Sequence, residues 1–171
     1  MSQNVNCIGV SQYNNHKIEY AKNWLLQHNV DLAGWQETGI AFRTLPRRKR
    51  LSERMKDTRW NKFRISSSNN KHESIDTFQY GGTSVMAFEE VAHRVKATGG
   101  DTSGLGRWIW ILHEGKNNHK TRVISVYVPC KTSDDKKQSV YNQHKRFFMK
   151  QGINSRPRLL IHQHLTIQIK S

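Results

Sequence analysis

Glu37 stands at the end of the stretch Val30, Asp31, Leu32, Ala33, Gly34, Trp35, Gln36, with Thr38 behind it. The apolar run stops abruptly in a polar cluster, Gln36, Glu37 and Thr38. A short run carrying Val30, Leu32, Ala33 and Trp35 reads as a buried strand. The Glu37 carboxylate is then expected at the strand's C-terminal end, the edge where ligands collect in open α/β sheets. One carboxylate at a strand mouth, with amides nearby, suits a hard cation such as Mg²⁺, which takes oxygen ligands and keeps most of its waters. A glutamate there more often merely caps the next turn, since strand-end carboxylates are common. The stretch alone leaves both readings open.

The surrounding pattern indicates which elements would carry this cluster. Val5 and Cys7 alternate with Asn4 and Asn6, a strand-like signal near the start. Residues 17–28 place Ile18, Ala21, Trp24 and Leu25 at helical spacing, an amphipathic helix leading into the strand at 30–37. Strand, helix, strand in that order opens a layered α/β fold. Residues 66–73 read as a polar loop and 83–88 as an apolar strand. Val91 and Val95 point to a second strand after a turn at Glu89 and Glu90, and the glycine-containing stretch 98–106 reads as a loop. Trp108, Trp110 and Leu112 alternate with Ile109 and Ile111. A polar stretch at 114–119 and an apolar one at 122–128 then complete a hairpin expected to be buried on both faces. Pro129 closes it, having no N–H for the ladder. Ser133, Asp134 and Asp135 mark the start of a helix that runs toward Phe147 and Phe148 and stops near Gly152. Residues 159–169 fit a helix through Ile161, Leu165 and Gln168, or a strand through Leu165, Ile167 and Ile169; helix is the expectation.

Composition narrows the partners. The 171 residues suit one domain, residues 1–171. Twenty-eight Lys and Arg against 13 Asp and Glu leave a net charge of +15, and the pI is near 10.2. That balance calls for a polyanion: nucleic acid first, an anionic membrane surface second. Residues 43–64 hold ten basic side chains, among them Arg47, Arg48, Lys49, Arg50 and Arg54. Only Glu53 and Asp57 oppose them, so the segment carries +8 of the +15. It reads either as a solvated helix face or as a phosphate-contacting surface. The hydrophobic fraction of 35% is low beside the roughly 45–50% of ordinary domains. Cys7 and Cys130 are isolated thiols, which fits a reducing compartment. The start lacks the pattern of a secretory signal, and no apolar run approaches the ~18 residues that span a bilayer. An intracellular chain, nuclear or cytoplasmic, is expected, with no membrane partner.

Four pieces occur in order: Asn4, Val5 and Asn6; Gln36, Glu37 and Thr38; Gly81, Gly82 and Thr83; then Ser125, Val126, Tyr127, Val128 and Pro129. This set resembles the endonuclease/exonuclease/phosphatase superfamily, the deoxyribonuclease I-like fold. Within it, the chain is most similar to the apurinic endonuclease-like domain of non-LTR retrotransposons. The stretch Gly104, Leu105, Gly106, Arg107 and Trp108 resembles that branch more than the phosphatases. The resemblance runs over residues 3–169. It implies a four-layer α/β sandwich of mixed α/β (α+β) class and Mg²⁺-dependent hydrolysis of DNA phosphodiesters, with Mn²⁺ as an alternative ion. By resemblance, Asn4 bonds the phosphate, Asn6 supports the metal site, Glu37 is the metal ligand, and Tyr127 points its hydroxyl at the scissile phosphate. Arg47, Arg48, Lys49, Arg50 and Arg54 would meet the DNA backbone. Such a reaction needs a metal to neutralise the phosphate, donors for the developing charge and a base to orient water.

The sequence departs from that family in two ways. Cys7 stands where the family usually has glycine. The family also continues into a Gly-Asp-x-Asn strand and a later Ser-Asp-His end, and neither occurs here. Asp101, Asp134 and Asp135 sit in loop or helix-start contexts, and His162 and His164 read as surface residues. No aspartate or histidine is therefore assigned to activate water, a loss on the order of 10²–10⁴ in rate. The expectation is a C-terminally truncated, fragmentary endonuclease domain, catalytically incomplete as it stands, whose first sheet has an inner face only partly covered. A non-catalytic nucleic-acid-binding module is the alternative. A phosphatase for small phosphates is disfavoured by the basic segment.

Overall fold

In the computed structural model, residues 1–5, 8, 15–39, 51–69, 81–127, 146 and 165–170 are described. They form two four-stranded sheets and a few helices, a mixed α/β arrangement. The first sheet has the order β1 (Ser2–Asn4), β2 (Leu32–Gln36), β4 (Thr83–Phe88), β3 (Phe63–Ser68). Only β1 and β2 run parallel, joined through helix α1 (Asn15–Gln27). A parallel pair requires such a crossover, because a tight turn reverses direction. The expected helix at 17–28 and strands at 30–37 and 83–88 appear within a residue or two of those bounds.

The second sheet has the order β5 (Val95–Gly100), β6 (Trp108–Glu114), β7 (Lys120–Val126), β8 (Leu165–Lys170), all antiparallel. Short helices α2 (Leu51–Arg54) and α3 (Glu89–His93) complete the described elements.

Two cores follow from the alternation of side chains along each strand. On one face of the first sheet, Ala33, Trp35, Met86 and Phe88 meet Ile18 and Leu25 of α1, with Leu51, Met55 and Trp60. On the other face, Val85 and Ala87 meet Ile109, Ile111 and Val123 of the second sheet. The second sheet thus covers the inner face of the first along β2 and β4, where Gln36, Thr83, Val85 and Ala87 are buried. At the edges Ser2 and Asn4 are half-buried and Arg64 is exposed, so the face is partly covered, as expected. These residues establish one helical layer on two sheets.

Several local expectations are corrected. The serine-rich stretch expected as a loop is partly strand β3: Ser66, Ser67 and Ser68 pair in register with Val85, Ser84 and Thr83. Ser67 and Ser84 share a hydroxyl–hydroxyl bond of 2.9 Å, so sheet pairing overrides a weak strand signal. The turn at Glu89 and Glu90 is the first turn of α3. Strand β5 continues through Gly99 and Gly100, where the loop was expected, because both pair with β6, opposite Trp110 and Ile109; a Cβ at Gly99 would press within 2.5 Å of the Trp110 ring. Glycine here lets that indole lie flat against the neighbouring strand. The hairpin is buried on one face only. Trp108, Trp110, Leu112 and Ile124 are half-buried on the other, and the Arg122 guanidinium lies 4.6 Å from the centre of the Trp110 ring.

The last segment is strand, not the expected helix. Leu165, Ile167 and Ile169 fall in register with Val126, Ile124 and Arg122 of β7. The two-residue period wins because β7 offers a free ladder edge. The helix expected after Ser133 lies outside the described residues apart from Arg146, which is helical.

Candidate active site

Both inner faces change character toward one end of the sheets. In the first sheet Asn4, Gln36, Thr83 and Ser68 stand abreast, one from each strand. Paired residues point to the same side, so this is a polar row facing the second sheet. Gln36, Thr83 and Ser68 are buried and Asn4 is half-buried. Ser125 of β7 faces them, also buried. The Gln36 side-chain amide donates to the Ser125 hydroxyl at 2.9 Å and to the Ser2 hydroxyl at 3.0 Å, so one amide ties β1, β2 and β7 together. The Thr83 hydroxyl is buried with no hydrogen-bond partner. Buried polar groups are seldom left so, and they gather at this rim.

Beyond the row the chain turns sharply. Glu37 adopts φ +55°, in the left-handed region that few non-glycine residues enter. The ladder nonetheless continues, with Thr38 N–H donating to the Gly82 carbonyl at 3.2 Å and Gly39 N–H to that of Gly81 at 2.9 Å. The Thr38 hydroxyl accepts from the Asn69 amide at 3.4 Å. Gly81 and Gly82 have φ of +86° and +89°, and a Cβ on either would strike a neighbour, Arg107 in the first case and Thr38 in the second. These glycines are required both by their backbone angles and by what lies against them.

Tyr127 follows β7 on this same rim. Its N–H donates to the Arg107 carbonyl at 2.8 Å, and the Arg107 guanidinium carbon lies 5.1 Å from its ring centre. Three residues to which the family resemblance gives roles, Asn4, Glu37 and Tyr127, therefore sit where their strands meet at one rim. Asn6, Arg47, Arg48, Lys49 and Arg50 lie outside the described residues.

Arg54 ends α2, and burial pulls its guanidinium below the usual arginine range, partly offset by the Glu19 carboxylate. Nearby, buried Lys22 pairs with Glu19 at 2.8 Å and approaches Asp57 at 3.9 Å, while Arg59 grips Asp57 through two hydrogen bonds of 2.8 and 2.7 Å. Lys56 pairs with Glu53. Part of the basic segment is thus neutralised locally and bolted to α1.

Sequence reasoning assigned no role to Gln36, Ser125 or Arg107, although all three lie inside the stretches that carried the resemblance. Their signal was polarity at positions whose alternation places them inside the sandwich.

Among the described residues no three His, Cys, Asp or Glu side chains cluster in a way that could hold a metal. A closed three-ligand site is therefore not built from these residues. A single half-buried carboxylate, Glu37, one residue past the Gln36 that pairs with Asn4, fits a cation that keeps most of its waters.

No protein-family model matches the chain, and no curated protein sequence does. Among solved structures, the chain is similar to an AP endonuclease from Archaeoglobus fulgidus, with a TM-score of 0.52 and 19% sequence identity. The likeness covers 87% of this chain and 47% of that one, so the chain spans about half the length of its structural neighbour. At that identity the likeness is one of fold, the deoxyribonuclease I-like fold. No helix among the described residues is long and apolar enough to cross a membrane.

Proposed function

We propose that this chain carries part of the phosphodiester site of a metal-assisted DNA endonuclease of the retrotransposon type. The observation that supports this most is the buried polar row at one rim, where Gln36 joins β1, β2 and β7 beside Glu37 and Tyr127. Glu37 would hold Mg²⁺ or Mn²⁺, with Asn6 in support. When bound, such an ion neutralises phosphate charge and polarises the P–O bond. Asn4 donates its amide to a phosphate oxygen, and the Tyr127 hydroxyl donates to another, holding the diester in one orientation. Arg47, Arg48, Lys49 and Arg50 contact backbone phosphates and supply sequence-independent affinity. The sequence contains no Gly-Asp-x-Asn or Ser-Asp-His motif, so no residue is assigned to activate the water, and the chain by itself binds DNA and cuts it slowly or not at all.

The test is nicking of supercoiled plasmid at low salt, with Mg²⁺ or EDTA, comparing the chain with Glu37→Ala. Nicking that needs both Mg²⁺ and Glu37 supports an active phosphodiesterase. The +8 in residues 43–64 favours a second reading, a nucleic-acid-binding protein without catalysis. Binding that is steeply salt-dependent, indifferent to Mg²⁺ and unchanged in Glu37→Ala would establish that reading instead.

A further inference from the structure

We infer that Arg107 is the positioning residue of Tyr127, holding its ring over the rim and adding a fixed positive charge beside it. The inference rests on the reading that Tyr127 faces a phosphodiester.

Arg107 is 1% exposed, a rare setting for a guanidinium. Its main chain is held by a turn built on Asp101, itself buried. One Asp101 carboxylate oxygen accepts from the Ser103 N–H at 2.8 Å and from the Ser103 hydroxyl, and the other accepts from the Arg107 N–H at 3.0 Å. Gly104 and Gly106, at φ +82° and +67°, let the loop double back within this cage. The Asp101 N–H returns to the Trp108 carbonyl at 3.0 Å, closing the loop onto β6.

The side chain is gripped from two sides. Gly81 leaves the room its guanidinium occupies, since a Cβ there would strike Nη1. The Tyr127 ring lies against it, 5.1 Å from centre to guanidinium carbon, and the Tyr127 N–H bonds the Arg107 carbonyl. Ring and backbone of Tyr127 are thus both referred to one residue.

Packing alone does not account for an arginine here. A buried guanidinium is expensive to desolvate, and an apolar side chain of similar volume would fill the space at least as well. A plane of charge stacked on an aromatic ring fixes the ring's tilt, which a flexible lysine or a methionine does not. On the reading that Tyr127 faces a phosphodiester, the charge also lies 5.1 Å behind the ring that meets the phosphate.

The experiment uses the full chain with ¹³C-labelled tyrosine rings, the Tyr127 signal being identified by its loss in Tyr127→Phe. Arg107→Met keeps volume and removes charge; Arg107→Lys keeps charge and removes the plane. In the free protein both variants are expected to displace the Tyr127 ring signal and speed its ring flipping. On titration with a short DNA duplex, Arg107→Met is expected to weaken the binding read at Tyr127 about tenfold, with Arg107→Lys recovering most of it. An unmoved Tyr127 signal in either folded variant would overturn the inference; should Arg107→Met not fold, Arg107→Lys decides alone. A wild-type Tyr127 signal that ignores the duplex while both variants still displace it would sink the phosphodiester reading and leave the positioning role standing.

Discussion

The side-chain amide of Gln36 donates to the Ser125 hydroxyl at 2.9 Å, and this bond joins the two sheets at the end where Glu37 and Tyr127 emerge. Gln36 and Ser125 are both fully buried. Gln36→Ala leaves two hydroxyls without their donor and a gap between sheets, which is expected to lower stability by about 2–3 kcal/mol. A double-mutant cycle of Gln36→Ala with Ser125→Ala, read by urea denaturation, should return a coupling of roughly 0.5–3 kcal/mol. Strict additivity would mean that the bond does not link the sheets.

Glu37 is held at φ +55°. A side chain in that region costs roughly 1–2 kcal/mol, part of which glycine gives back through its freer unfolded chain. Glu37→Gly is therefore expected to raise stability by about 0.5–1 kcal/mol while removing any Mg²⁺-dependent nicking. Thermal melting and the plasmid assay check the two halves separately. A variant that loses stability would show that the carboxylate is a structural cap.

Gly81→Ala places a methyl group against the Arg107 guanidinium at φ +86°. Strain and displacement together are expected to cost about 1–3 kcal/mol. The loss should shrink when Arg107 is also shortened, in the double variant Gly81→Ala with Arg107→Ala. An equal loss in both backgrounds would assign the whole effect to the backbone angle.

Asp57 titrates well below the usual carboxylate range, chiefly because the Arg59 side chain donates to it, with Lys22 nearby in support. A carboxyl whose folded pKa is depressed contributes stability that is fully present above its unfolded value, near pH ~4, and lost as pH falls toward the folded one. Asp57→Asn is expected to lower the urea midpoint at neutral pH. The gap from wild type should close progressively as the pH drops below about 4. A gap that stays constant with pH would show that the ion pair is not the cause.

Neutralising Arg47, Arg48, Lys49 and Arg50 to alanine should flatten the salt dependence of DNA binding, by close to one unit of log–log slope for each phosphate that no longer meets a cation. Arg54→Ala should change the slope little, since that guanidinium is half-buried and its charge is already felt by the Glu19 carboxylate. Mobility shifts over a salt series measure both. Equal effects from all five would place Arg54 on the DNA surface.

Much of this architecture was legible because its signals are local. The period of α1, the apolar run of β2 and the alternating hairpin of β6 and β7 each fit within a few turns of chain. Strand β3 and strand β8 were not legible, since Ser66, Ser67 and Ser68 become strand only beside β4, and residues 165–170 only beside β7. The same divide runs through the site. The polar cluster ending in Thr38 announced a strand mouth. Gln36 and Arg107 gained meaning only from Ser125 and Tyr127, residues distant in sequence, and no periodicity encodes such a partner.

Strand β8 closes against β7 across a long interval, Leu165 meeting Val126. During synthesis from the N-terminus, β7 and its hairpin partner are complete well before residues 165–170 leave the ribosome. For that interval β7 is a bare strand edge, open to any chain that can add a ladder. The order of manufacture thus makes the second sheet the vulnerable one: a chaperone that shields extended edges would act on β7, and a chain cut short before Leu165 would be predisposed to self-association even with the polar rim intact.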